Sequence, residues 1–164
     1  MLGFEYAKAL YDIHPDKNKC MDEFTCFMNF YDELSPVMKS PVISDNDKKN
    51  IIKKSFNSFS DEFIYFIYVA IDNDRFSYLI DSYKEFKKLY NDENNIAECA
   101  CYTNKSLTKK EKDDVIKFLE KEFNKKIVLN EIVDDSYIGI KIEYENKTID
   151  YTVESRINNM RLSI

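Results

Sequence analysis

Cys99 and Cys101 stand two residues apart in IAECACYT, and Cys20 and Cys26 form a C-x5-C pair. Thiols are nucleophiles and soft-metal ligands only as thiolates, and neither spacing is a common zinc framework. In an extended segment the Cys99 and Cys101 side chains share one face, which suits two small apolar groups and predicts buried, reduced thiols. The other reactive groups are as sparse. The single histidine, His14, precedes Pro15 where a first helix would stop; an imidazole there favours the helix C-terminus more readily than it serves as a base. Asp134 and Asp135 are adjacent carboxylates. Neighbouring residues of a strand or turn point apart, so they read as a turn opener rather than as the facing pair that acid–base catalysis requires. No G-x-x-x-x-G-K-[ST] or G-x-G-x-x-G loop is present to cradle phosphate, and no G-x-S-x-G elbow. On these residues we assign no catalytic, cofactor or metal site.

The totals point the same way. The 164 residues carry 30 acidic against 24 basic side chains, a net charge of −6. That balance argues against a nucleic-acid partner, which calls for a basic stripe. Hydrophobic residues make up 44% and aromatics 15%, enough to pack a core. The start, MLGFEYAKALYDI, carries charge every few residues and has no signal-peptide core. The longest apolar run, FIYFIYVAI at 63–71, is far shorter than the ~20 residues that span a bilayer. We expect a soluble, cytosolic chain with no direct membrane insertion.

Hydrophobic periodicity divides the sequence. The first two-thirds reads as helices over 4–13 and 17–34, then a break at Pro36 and Pro41. A third helix, capped within SDND at 44–47, carries Ile51, Ile52 and Phe56. A fourth, capped by Ser60, is apolar all round and so predicts the buried centre of a bundle. A fifth begins near Asp74 and has one apolar face: Phe76, Leu79, Ile80, Tyr83, Phe86 and Tyr90. From 96 the period changes. IAECACYT alternates as a strand. Thr108 and Glu111 form a capping box for a helix with Ile116, Leu119 and Phe123 on one side. KKIVLNEIV, SYIGIKIEYE and KTIDY then read as strands, and TVESRINNMRL as a short helix. The fold class is α+β: a helical domain over 1–95 and a small mixed α/β domain over 96–164.

The first helix has more apolar surface than one packing contact requires. On a wheel of about 100° per residue, Phe4, Ala7 and Tyr11 form one stripe. Tyr6, Ala9 and Ile13 form another, with Leu10 between them, and the apolar arc covers about 200°. Either the helix is sandwiched within its own domain, or the second stripe is a groove for another protein's helix. The small side chain of Ala9 would let a partner backbone come close.

The segment VDDSYIGIKI…TIDYTVESRI resembles the C-terminal signature of the F-type ATP synthase delta subunit family, which includes the mitochondrial oligomycin-sensitivity-conferring protein. Val133, Asp134, Ser136, Ile138, Gly139, Ile149, Asp150, Val153 and Arg156 fall on that pattern. YAKAL at 6–10, SPVISDNDKKNII, Asp74-Arg75, and the stretch from AECACYT through KKIVL follow in the family's order. The sequence departs from the pattern at Ile140 and Tyr151, where the family has glycine, at Thr152, where it has serine, and at Glu154. The resemblance implies a six-helix-type N-terminal bundle and a small α/β C-terminal domain. It also implies a non-catalytic stator subunit of a proton-translocating ATP synthase. One copy would join the catalytic head to the peripheral stalk on the cytoplasmic side of a bacterial cell membrane. By the same resemblance, a groove involving the first and fifth helices receives the N-terminal helix of an alpha subunit, with Tyr6 and Ala9 as contacts, and the C-terminal domain meets the C-terminal region of the b subunits. Gly139, in mid-strand, and Asp150, at the turn into the last helix, are expected to be structural marks: Gly139 allows a bulge or close approach and Asp150 a cap. Two other classes are a free-standing helical adaptor and a thiol or metal enzyme using Cys99 and Cys101.

Overall fold

A computed structural model describes residues 2–136, 138–144 and 147–151. The expected last helix, with Thr152, Val153, Glu154 and Arg156, lies outside the described residues. The chain forms two units, Met1–Tyr90 and Asn91–Ile164.

The first unit is built from α1 (Leu2–Ile13), α2 (Lys17–Asn29), α3 (Tyr31–Met38), α4 (Asp45–Ser55), α5 (Asp61–Asp72) and most of α6 (Leu79–Glu93), with a 3-10 turn over Phe76–Tyr78. Local chemistry sets the starts. The Asp16 carboxylate accepts from the Lys19 N–H at 3.0 Å, and the Ser44 hydroxyl from the Asp47 N–H at 3.2 Å, so orphan donors are satisfied at both N-termini. Lys17 Nζ donates to the carbonyls of Tyr11 and His14 beyond the end of α1, which places a cation on the negative end of that helix.

Two helix expectations are corrected. The segment 17–34 is not continuous: Phe30, at φ −103° and ψ 1°, divides it into α2 and α3. Pro36 does not break the chain but lies inside α3. It is exposed on a short helix, and the carbonyl it deprives of a partner, that of Asp32, belongs to an exposed residue.

The bundle core is aromatic. Phe24 is fully buried, and its ring meets Phe63, Phe66, Tyr83 and Phe86 at centroid distances of 5.2–5.7 Å. These tilted and edge-on contacts suit the ring quadrupoles. Phe27 extends the cluster to Phe56 and Phe76. Gly3 permits a close helix approach: a Cβ there would lie 2.8 Å from Cβ of Asp81 on α6.

The second unit contains β1 (Ile96–Thr103), α7 (Lys109–Phe123), β2 (Lys126–Val133), β3 (Ile140–Tyr144) and β4 (Lys147–Asp150), in sheet order β2-β1-β3-β4. β1 and β2 are parallel, joined through α7, and the other pairs are antiparallel. The period-2 reading of β1 holds: Ala97, Cys99, Cys101 and Thr103 are buried and alternate with partly exposed residues. They share a core with Leu119, Ile127, Ile142 and Tyr144. Gly139 is not in mid-strand. It precedes β3 at φ 122°, a region that L side chains rarely adopt. Asp150 ends β4 opposite Lys141; its capping role would fall on residues outside those described.

The capping box forms as expected. Glu111 N–H donates to Thr108 Oγ1 at 3.3 Å, and Thr108 N–H donates to the Glu111 carboxylate at 2.8 Å. The Thr108 hydrogen bonds hold the Glu111 carboxyl below the usual range. A depressed folded value gives stabilisation that is present above the unfolded value and lost as pH falls through the folded one. Thr108→Ala removes the N-cap hydrogen bond and for that reason should lower stability by about 1 kcal/mol at neutral pH. Urea titrations should show the gap from wild type narrowing in acid, and a gap that widens there would contradict this origin.

Candidate partner-binding groove

The thiols fold away from solvent. All four cysteines are free; Cys20, Cys99 and Cys101 are buried, and Cys26 is half-buried. Burial pushes the Cys20 thiol up to about 12. Burial also raises Cys99 and Cys101, helped by the Glu131 carboxylate in the case of Cys101. Such thiols are poor nucleophiles and poor ligands. Among the described residues no three His, Cys, Asp or Glu side chains gather to hold a metal. A thiol reagent should modify Cys26 first in the native protein and all four cysteines only after denaturation. Fast modification of Cys99 or Cys101 would restore the thiol-chemistry reading.

Asp134 acts as a turn opener. Its Oδ1 accepts from the Ser136 N–H at 2.9 Å, and that bonding to Ser136 holds its carboxyl low.

His14 is 2% exposed and belongs to a cluster that the sequence does not bring together. Ser60 Oγ donates to Glu23 Oε2 at 2.5 Å, and the Ser60 N–H donates to Glu23 Oε1 at 2.7 Å. His14 Nε2 lies 2.8 Å from Ser60 Oγ, and His14 Nδ1 accepts from the Asp16 N–H at 3.2 Å. Because the serine hydrogen is committed to Glu23, Nε2 is the donor and Nδ1 the acceptor. The residue types match a hydrolytic triad, but the wiring does not. A triad has histidine accepting the serine proton while the acid orients the other ring nitrogen. Here the acid holds the serine, and a backbone N–H holds that nitrogen. Ser60 occupies the N-cap position of α5, as expected, but its hydroxyl makes no cap bond to α5; it faces Glu23 instead.

An open apolar concavity lies beside this cluster. His14 at the end of α1 meets Ser60 at the start of α5. At the other end, Asn73 Nδ2, just past α5, is 3.4 Å from the Tyr6 hydroxyl. The two helices therefore run antiparallel. Between them is a groove of about 660 Å³, lined by Tyr6, Ala9, Leu10 and Ile13 of α1, by Phe66, Tyr65 and Val69 of α5, and by the carboxylates of Glu5, Asp61 and Glu62. Tyr6 stands edge-on to Phe66 at 6.1 Å and under the Arg75 guanidinium at 5.9 Å.

Tyr6 and Ala9, the two expected contact residues, thus share one groove, and the second stripe of the first helix faces it. Leu10 is buried beneath them, while Ile13 is 69% exposed. The second wall is corrected. It is the helix over 61–72, fifth in the chain because the segment 17–34 is two helices. The helix read from Asp74 does not line the groove. Nor is the run at 63–71 buried all round: Tyr65 is 68% exposed. Sequence reasoning missed this wall because a wholly apolar run hides which side is open. The i, i+4 pair Tyr65 and Val69 is the signal that could have shown it.

A helical bundle with an open apolar groove between two antiparallel helices, joined in one chain to a small α/β unit, defines an α+β protein. The chain belongs to the ATP synthase delta (OSCP) subunit family, whose model matches residues 3–164. The ATP synthase subunit delta of Clostridium perfringens (strain ATCC 13124) is 32% identical over 168 aligned residues, covering 98% of this chain and 94% of the relative. That of Clostridium botulinum (strain Langeland) is 29% identical with the same coverage. In fold, the chain is similar to one in the cryo-EM structure of the Toxoplasma gondii mitochondrial ATP synthase hexamer. The TM-score is 0.75 at 16% identity, over 99% of this chain and 97% of that one.

Proposed function

We propose that this protein is a non-catalytic stator subunit of a proton-translocating F-type ATP synthase, linking the catalytic head to the peripheral stalk so that the head resists rotor torque. The observation that carries the reading is the α1/α5 groove. It is open, apolar along its length and bordered by carboxylates. Its α1 wall has 12 residues, about 18 Å of helix, which suits three turns of a partner helix. The occupant is the N-terminal amphipathic helix of an alpha subunit, its apolar stripe on Tyr6, Ala9 and Tyr65 and its cationic side chains toward Glu5, Asp61 and Glu62. Family membership supports the identity of that partner. The unit from Asn91 onward meets the C-terminal region of the b subunits, one copy serves each complex, and the complex holds the chain on the cytoplasmic side of the cell membrane. Among the described residues no helix is long and apolar enough to cross a membrane.

A link under torque needs anchors packed in a desolvated groove rather than area alone. Titration of the full-length protein with a peptide from the N-terminus of the same organism's alpha subunit, beside a scrambled control, tests the proposal. Saturable one-to-one binding is the expected result. No binding by folded protein well above micromolar would sink the alpha-subunit contact and favour an adaptor for some unrelated helix.

A further inference from the structure

We propose that the buried cluster of His14, Ser60 and Glu23 is a positioning clamp that fixes the spacing of the two groove walls and so pre-forms the groove. The inference rests on the partner-binding reading of that groove. The cluster sits at one end of it: His14 directly follows Ile13, and Ser60 directly precedes Asp61, both of which line the groove. Glu23 comes from a third helix, α2, and is 6% exposed. Its carboxylate takes both the N–H and the O–H of Ser60, while His14 donates to the same hydroxyl. Lys19 Nζ lies 3.7 Å from Glu23 Oε1 and balances the charge.

Two physical points favour a positioning role over simple cohesion. The hydrophobic effect between helices is non-directional, whereas hydrogen bonds of 2.5–2.8 Å in a buried site tolerate little change in distance or angle. The cluster is therefore what fixes where α1 ends relative to where α5 begins. Secondly, Ser60 is placed to cap its own helix with its hydroxyl, which a serine in that position ordinarily does. Here the hydroxyl faces away from α5 and bridges two other helices. A side chain withdrawn from a local bond and committed to a tertiary one couples elements instead of ending a helix. The opposite end of the groove is held more loosely, by the 3.4 Å contact between Asn73 and Tyr6 and by the Arg75–Tyr6 stacking.

The test uses the full chain with Ser60→Ala, which removes the bridge, Ser60→Thr, which restores the hydroxyl, and Glu23→Gln, which keeps the shape and removes the charge. Ile52→Val, in the core away from the groove, is the control for general loss of stability. Amide exchange should quicken in the last turn of α1 and the first turn of α5 in Ser60→Ala and Glu23→Gln, but not in Ser60→Thr. If quickening spreads evenly through α1–α6, or is absent, the clamp is refuted. The alpha-subunit peptide should bind Ser60→Ala about tenfold more weakly, because a less populated competent groove lowers apparent affinity in proportion. Ser60→Thr and Ile52→Val should bind as wild type does. Equal affinity in wild type and Ser60→Ala overturns the proposal. If the wild type fails to bind the peptide, the partner reading falls and the exchange pattern alone decides the clamp. Should Ser60→Ala not fold, Glu23→Gln decides by the same two readouts.

Discussion

Ala9→Trp is expected to leave the bundle folded and to weaken binding of the alpha-subunit peptide by about thirtyfold or more, the scale of a hot-spot loss of 2 kcal/mol. Ala9 is exposed on the α1 wall, so a larger side chain meets no core atom of its own domain. It instead projects an indole into the groove of about 660 Å³. A partner helix that lays its apolar stripe along that wall would have to rise over the ring, losing contact with Tyr6 and Ile13 on either side. Ala9→Ser, nearly equal in size, should bind almost as wild type does. The measurements are calorimetric titration for affinity and far-ultraviolet circular dichroism with thermal melting for the fold. Wild-type affinity in a folded Ala9→Trp protein would show that the partner does not use this groove.

The largest expected loss of stability comes from Phe24→Ala. The removed ring is fully buried and contacts aromatic side chains of α5 and α6. Deleting a buried phenylalanine costs about 3–5 kcal/mol, combining lost transfer energy with the cavity left behind. This site should lie at the upper end, because four rings arranged around one another cannot all collapse into the space. A domain has only about 5–15 kcal/mol of net stability. The variant should therefore melt roughly 15–30 °C lower, by the usual scaling for 60–100 residues. Urea unfolding followed through the near-ultraviolet aromatic signal measures this directly. A loss below about 1 kcal/mol would mean that Phe24 is not the centre of the core.

Much of the architecture was legible along the chain because it rests on local rules. The alternation in β1, the Thr108–Glu111 box and the cap at Ser44 each depend on residues within a few positions of one another, as does the turn at Asp134. Periodicity likewise exposed the surplus stripe of Tyr6, Ala9 and Ile13. The errors arose where a local rule had competition. Pro36 is tolerated because the bond it forfeits is at the surface of a short helix. The division at Phe30 leaves no mark in the hydrophobic period, since Phe24, Phe27, Tyr31 and Leu34 remain at helical spacing across it.

By itself, then, the sequence determined the α+β class, the order of elements apart from the division at Phe30, the scarcity of catalytic residue types and a first helix with more apolar surface than one packing contact needs. Only the tertiary structure decided what faces that helix. The wall formed by Tyr65, Phe66 and Val69 is invisible in a run apolar on every side, because the open face is chosen by which neighbours pack against the others. Gly3 is similar: its small size matters only because Asp81 of α6 lies against it. The cluster of His14, Glu23 and Ser60 spans separations of 37 and 46 residues. No spacing rule reaches across such distances, and it takes the packing of three helices to bring the three polar side chains within hydrogen-bonding range.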